Sequence, residues 1–413
     1  MAGAMNRLRG PVVRWVAVLL IIAAGAVAGS LGRATPHVPA RVGTQIAPPG
    51  VIGAGTGHAP PGSRLGYNPT LGACSGPRLA QALLYGVGPI CAPWDSIPAI
   101  DHPRFLRASM VGFVRADEPV IAVDWRGSDR AYPVQILAYH EIVNDVVGGR
   151  PVAVTFCPLC NSGVAFSRRV DGRTLTFAVT GQLNFANLVM FDRETVSQWR
   201  QLEGVAISGP FKGARLKLVP AQMVSFGEWR AAHPNGLVMR RPPSPFHYGV
   251  DPYHGYDLDP TQPSVVARGE PIDPRLPPKW RVVGVATNER SVAFPAPMRR
   301  SGAEVETARL GDLHLVAFYG YGVAQPEMNY ELSTSPKGWS GSVWVARVGT
   351  RALRFTVRGG RFVETTTGSV FDLFGRGVTG PLVGEQLLAP PQATAFWFAW
   401  SAFYPHTTVA NAP

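Results

Sequence analysis

Residues 138–166 read AYHEIVNDVVGGRPVAVTFCPLCNSGVAF, and the fold class turns on this stretch. Val152–Phe156 is a β-branched and aromatic run of strand length, and a second apolar run starts at Val164. Asn161-Ser162-Gly163 between them is turn chemistry, so Cys157-Pro-Leu-Cys160 is read as a turn joining two strands. Upstream, Tyr132-Pro133 opens an expected helix reaching about Asn144, with Pro in its first turn. Gly148-Gly149 then returns the chain to the next strand. Downstream, Asp171-Gly172 between Val164–Ser167 and Leu175–Thr180 predicts a hairpin. Short strands with few helices give an α+β, β-rich class. Gly (46) and Pro (39) are about a fifth of the 413 residues, which favours turns over long helices.

The pattern recurs. Leu202–Pro234 matches Leu373–Pro405 at a constant offset of 171 residues, with identities at Gly204/Gly375, Gly209/Gly380, Pro210/Pro381, Trp229/Trp400 and Pro234/Pro405. VIAVDWRGSDRAYPVQIL from Val120 resembles VVGVATNERSVAFPAPMR from Val282. Two copies of this length predict two related domains from an internal duplication, 101–272 and 273–413. Phe226/Trp229 and Trp397/Trp400 sit at helical spacing in the two copies and read as core.

The chemistry gathers in the first copy. C-x-x-C on a turn can aim two thiolates at one metal ion, whereas a thioredoxin-like pair opens a helix. His140 is the third candidate ligand, and two thiolates with an imidazole suit zinc or copper. Glu141 and Asp145, one helical turn apart if the helix runs that far, are candidate general acid–base groups or partners of a metal ligand. HEIVND is not HExxH, because Asn144 stands where the second histidine would be. Two other readings stay open: a thiol–disulfide redox protein cycling Cys157 and Cys160, and a non-catalytic cell-surface binding module with an inert pair. No Walker loop, nucleophile elbow or kinase signature is present, and GAGTG (Gly53–Gly57) lacks the flanking strand and helix of a nucleotide loop, so no nucleotide cofactor is expected.

The N-terminus indicates a compartment. Arg7, Arg9 and Arg14 precede the uncharged run Trp15–Leu31, which carries the small residues Ala26-Val27-Ala28. This is a signal peptide or membrane anchor (1–32), and it makes the cell membrane an expected partner and the protein extracytoplasmic. Residues 33–66 are a Pro/Gly-rich tether, and 67–100 carry Cys74 and Cys91, an expected disulfide outside the cytoplasm. The net charge of +12 is scattered Arg rather than a basic block, so nucleic acid is not an expected partner. The substrate or ligand is left open.

At Tyr132-Pro133, His140–Asp145, Val152–Phe166, LVMFDRET (Leu188–Thr195) and FGRGVTGPLVG (Phe374–Gly384) the chain resembles a bacterial and archaeal family, domain of unknown function 3179. The resemblance covers roughly residues 95 to 410 and implies no activity. It supports the positions of His140 and the Cys pair and is silent on Cys74 and Cys91. In the second copy LHLVAFYGYG (Leu313–Gly322) has no Cys, and SGAEVET (Ser301–Thr307) replaces HEIVND. One active centre, in the first copy, is therefore expected.

Overall fold

A computed structural model of the chain describes residues 94–95, 97–125, 127–185, 187–261 and 272–410. The expected leader, tether, Cys74 and Cys91 lie outside them. The described residues are β-rich, with three α-helices of seven residues each: α1 (Val134–His140), α2 (Phe226–Ala232) and α3 (Trp397–Phe403). None of these helices is long and apolar enough to cross a membrane.

The first half is organised on the hairpin Pro119–Trp125/Ser128–Pro133. Gln222–Ser225 returns antiparallel to its first strand, and Leu237–Met239 runs parallel to its second. Helix α2 links those two strands. In the second half the hairpin is Arg281–Ala286/Ser291–Pro295. Gln392–Phe396 returns antiparallel to its first strand, Thr408–Val409 runs parallel to its second, and α3 links them. Each half also carries a three-stranded meander: Ile142–Val147, Arg150–Cys157 and Ser162–Ser167 in the first, Ala303–Leu310, Leu313–Ala324 and Lys337–Val345 in the second.

The halves share hydrogen bonds through these meanders. Ser162–Ser167 pairs with Gln392–Phe396 at Gly163 and Thr394, so one eight-stranded sheet draws strands from both. Reciprocally, Ser225 N donates to Ser340 Oγ of the second meander at 3.1 Å.

The helices follow from local chemistry. Ser225 caps α2: its Oγ accepts from Glu228 N, and Glu228 Oε2 accepts from Ser225 N. Such a box satisfies two donors that the first turn leaves open. Trp229 and Trp400 are buried, as their spacing predicts. Gly284 lies beneath the Trp400 ring, where a Cβ would enter the indole. The turn at Asp171-Gly172 forms, with φ of 46° and 78°, the left-handed region a type I′ turn needs, but it joins the short strands Arg169–Val170 and Arg173–Thr174, while Ser162–Ser167 and Phe177–Asn184 pair elsewhere.

One element differs from expectation. The helix opened by Pro133 ends at His140, four residues early. Glu141 has φ 55°, outside helical space, and Ile142–Val147 is a strand. Ile142, Val143, Val146 and Val147 are β-branched, and pairing with Arg150–Cys157 outweighs continuing a helix. Glu141 and Asp145 therefore do not share a helix face.

Candidate functional site

The C-x-x-C turn is built by register. Cys157 ends its strand opposite Ser162, which begins the next. Pro158–Cys160 makes a single 3-10 turn with Pro at its start, and Asn161 closes it in the left-handed region (φ 47°, ψ 40°). The turn thus presents both thiols to the interior. Neither is in a disulfide, and they are 2% and 0% exposed.

Around Cys160 the buried polar groups converge. Asn187 Nδ2 donates to Cys160 Sγ at 3.1 Å, and Ser162 Oγ lies 2.9 Å from the same sulfur. Gln201 holds these two in place: its Oε1 accepts from Ser162 Oγ and Asn187 Nδ2, both at 2.7 Å. Its Nε2 donates to Thr155 Oγ1 (2.9 Å) and Ser162 O (3.1 Å). Asn187 Oδ1 accepts from Leu202 N at 3.0 Å. The two sulfurs are themselves in hydrogen-bond contact. Burial alone raises a thiol, but at Cys160 the contacts from Cys157, Ser162 and Asn187 outweigh it and bring the thiol below its ordinary value. Burial, then the neighbouring Cys160 and the charge of Glu141, drive Cys157 well up. The pair is thus polarised, with Cys160 suited to hold a thiolate and Cys157 a proton.

Glu141 is buried beside Cys157 at the end of α1, and burial pushes its carboxyl up to about 8 against one weak hydrogen bond, from Tyr253 Oη at 3.5 Å. His140 faces elsewhere. Its Nδ1 lies 2.6 Å from Pro98 O and its Nε2 2.7 Å from Tyr248 Oη. The carbonyl can only accept, so Nδ1 carries the proton and Nε2 accepts from the tyrosine. Burial holds this imidazole below its usual range. Asp145 is also committed, accepting the Tyr132 hydroxyl at 2.6 Å.

Ligand atoms sharing one ion at about 2.0–2.3 Å lie within about 4.6 Å of one another. Among the described residues a single trio of His, Cys or acidic side chains has its ligand atoms within 4.8 Å: Asp124, Asp129 and His233, at the Trp125–Ser128 turn. His140, Cys157 and Cys160 do not form such a trio. His140, the last residue of α1, is held by Pro98 O and the Tyr248 hydroxyl, while Glu141 leaves the helix at its C-cap.

Several residues that sequence spacing does not reveal complete the surroundings. The segment linking the halves supplies Tyr253 and Tyr256, whose hydroxyl donates to Leu159 O at 2.8 Å. Lys279 Nζ donates to Tyr256 O at 2.5 Å, and Arg281 pairs with Asp257 at 2.7 Å. With its amide oxygen turned to Arg281, Asn161 accepts from Nε at 2.9 Å. Glu327, on the second-half connection 325–336, is 1% exposed, and neither carboxylate oxygen has a hydrogen-bond partner among the described residues. Burial drives its acid form well up, with Asp251, Asp257 and Cys160 adding and Arg281 opposing. A cavity of about 30 Å³ meets the turn at Asn161 and is lined also by Arg281, Gln325 and Thr394. No motif marks these positions, because they come from three separate segments of the chain.

No curated protein and no solved structure matches the chain. A family model described as "Protein of unknown function (DUF3179)" matches residues 94–407, about three quarters of the sequence. The chain therefore belongs to the DUF3179 family.

Proposed function

We propose that Cys157 and Cys160 are a thiol–disulfide redox centre of an extracytoplasmic protein, held at the membrane or released by its N-terminal segment. The observation that carries this is the polarised pair: two neighbouring thiols outside any disulfide, with Asn187 and Ser162 gathered on the Cys160 sulfur. Oxidation joins the two sulfurs and releases two electrons and the Cys157 proton. Glu141, raised to about 8 beside Cys157, is placed to take that proton when ionised. The matching offsets and strand connections support reading the two halves as copies of one unit, of which the second lost or never had the thiols.

A second reading is a zinc or copper ion held by the two sulfurs. It is favoured by the placing of two thiols, two residues apart, on one tight turn, a spacing that can aim both sulfurs at one ion. One experiment separates them. Full-length protein is purified without chelator, its metal content measured, and its thiols alkylated in denaturant before and after mild oxidation. The redox reading expects a metal-free protein whose two thiols disappear together. Stoichiometric metal, lost in Cys157→Ser, favours the second. Two thiols that stay reduced in a metal-free protein leave an inert pair in a binding module.

A further inference from the structure

Around Cys160 every side-chain donor but one has a fixed direction. Gln201 Nε2 lies 3.1 Å from Ser162 O, a carbonyl that only accepts, so the amide nitrogen is on that side and Gln201 Oε1 faces Ser162 and Asn187. Thr155 Oγ1 spends its own proton on Val164 O and so accepts from the same nitrogen. Asn187 is equally fixed. Its Oδ1 accepts from Leu202 N, which leaves its Nδ2 protons for Gln201 Oε1 and the Cys160 sulfur. Ser162 is the exception. Its Oγ has one proton and stands between Gln201 Oε1 at 2.7 Å, which only accepts, and Cys160 Sγ at 2.9 Å. That sulfur donates as a thiol and only accepts as a thiolate. Ser162, Asn187 and Gln201 are all 0% exposed, so bulk water does not replace a missing donor.

We infer, on the dithiol reading above, that Ser162 is the proton switch of this centre and sets the potential of the pair, with Gln201 holding its hydroxyl in reserve. When Cys160 is in the disulfide, the Ser162 hydroxyl donates to Gln201 Oε1. When Cys160 is a thiol, it does the same while its oxygen accepts the S–H. When Cys160 is a thiolate, the hydroxyl turns to the sulfur, and Gln201 Oε1 keeps the Asn187 amide. Without that turn an oxygen lone pair would face the charged sulfur at 2.9 Å. Ser162 therefore makes its strongest bond only in the reduced, ionised state, and stabilising that state raises the potential. A dithiol reductant supplies two electrons and becomes a disulfide as the Cys157–Cys160 bond breaks. One of its protons goes to Cys157, the other goes to solvent, and Cys160 is left charged.

Full-length wild type and Ser162→Ala are equilibrated in dithiothreitol redox buffers over a series of pH values, and alkylation in denaturant followed by peptide mapping reads the thiols. The potential falls with pH along a line whose slope halves where Cys160 ionises in the reduced protein, because one proton fewer then accompanies the two electrons. In Ser162→Ala that break should move to higher pH. Well below it the two proteins should share nearly one potential. Above it the variant lacks a bond to a charged sulfur in the reduced state and only a neutral bond in the disulfide. The charged bond is the stronger by roughly tenfold in an equilibrium. The variant should therefore be about tenfold harder to reduce there, a potential lower by about 30 mV. Ser162→Gly removes the same hydroxyl and should give the same curve, which sets aside any misfit of the alanine methyl. The other titratable groups whose charges act between themselves and the two thiols, Glu141, Tyr253 and Glu327, are unchanged in both variants and cancel in the comparison. A purely structural lesion shifts the potential alike at every pH. Wild-type and variant curves that coincide or stay parallel throughout overturn the switch and leave the redox centre standing. No transition in the wild type at any potential overturns both.

Discussion

Replacing Glu141 by Gln isolates one buried charge. The acid titrates near 4.5 when unfolded and near 8 in the folded protein, because burial opposes its charged form. Between those values the folded chain keeps a proton that the unfolded chain has released. Stability from this group is therefore fully present below pH 4.5 and is lost as pH rises through about 8. The difference, 8 − 4.5 = 3.5, corresponds at about 1.36 kcal/mol each to an upper bound near 5 kcal/mol. Gln has the shape of the neutral acid and still meets the Tyr253 hydroxyl. Glu141→Gln should match the wild type within about 1 kcal/mol at low pH, where no charge is buried in either protein. Above pH 8 it should be the more stable protein by several kcal/mol. Urea unfolding of both proteins across this range gives the difference, in which the other raised acids, Asp251, Asp257 and Glu327, cancel. Two stability curves that run parallel from acid to alkaline pH would refute the assignment of a buried, protonated Glu141.

Other substitutions test the scaffold. Gly284→Ala pushes a methyl into the Trp400 ring and should cost about 1–3 kcal/mol, read as a lowered urea midpoint with an unchanged slope. Asn187→Ala removes a donor from Cys160 and leaves Leu202 N–H unpaired; it should cost about 1–3 kcal/mol and raise the Cys160 thiol, followed by thiolate absorbance. Tyr132→Phe strips Asp145 of its hydroxyl donor in a buried setting, about 1–3 kcal/mol by the same unfolding assay.

The β-rich class, the C-x-x-C turn, the Asp171-Gly172 hairpin and the two Trp helices were all legible because each rests on local chemistry: β-branched runs, turn residues, helical spacing. The end of α1 was not. His140 through Asn144 reads as a continuation of the helix, and only pairing of Ile142–Val147 with Arg150–Cys157 ends it. That single boundary takes Glu141 out of the helix and puts Asp145 on a strand, where it accepts from Tyr132; the partners of His140, Pro98 and Tyr248, come from distant segments. Asn187, Gln201 and Glu327 were equally out of reach. Asn187 and Gln201 reach the Cys160 turn through tertiary packing at separations of 27 and 41 residues, and Glu327 stands 167 residues on, where no spacing rule operates.

The account stands on reversible bond formation between Cys157 and Cys160. Equilibrating the full-length protein in dithiothreitol redox buffers, then alkylating in denaturant and mapping the peptides, measures it directly. The account predicts one two-electron transition confined to the Cys157–Cys160 peptide and absent in Cys157→Ser. Both thiols remaining alkylatable at every potential, including the most oxidising, would contradict it.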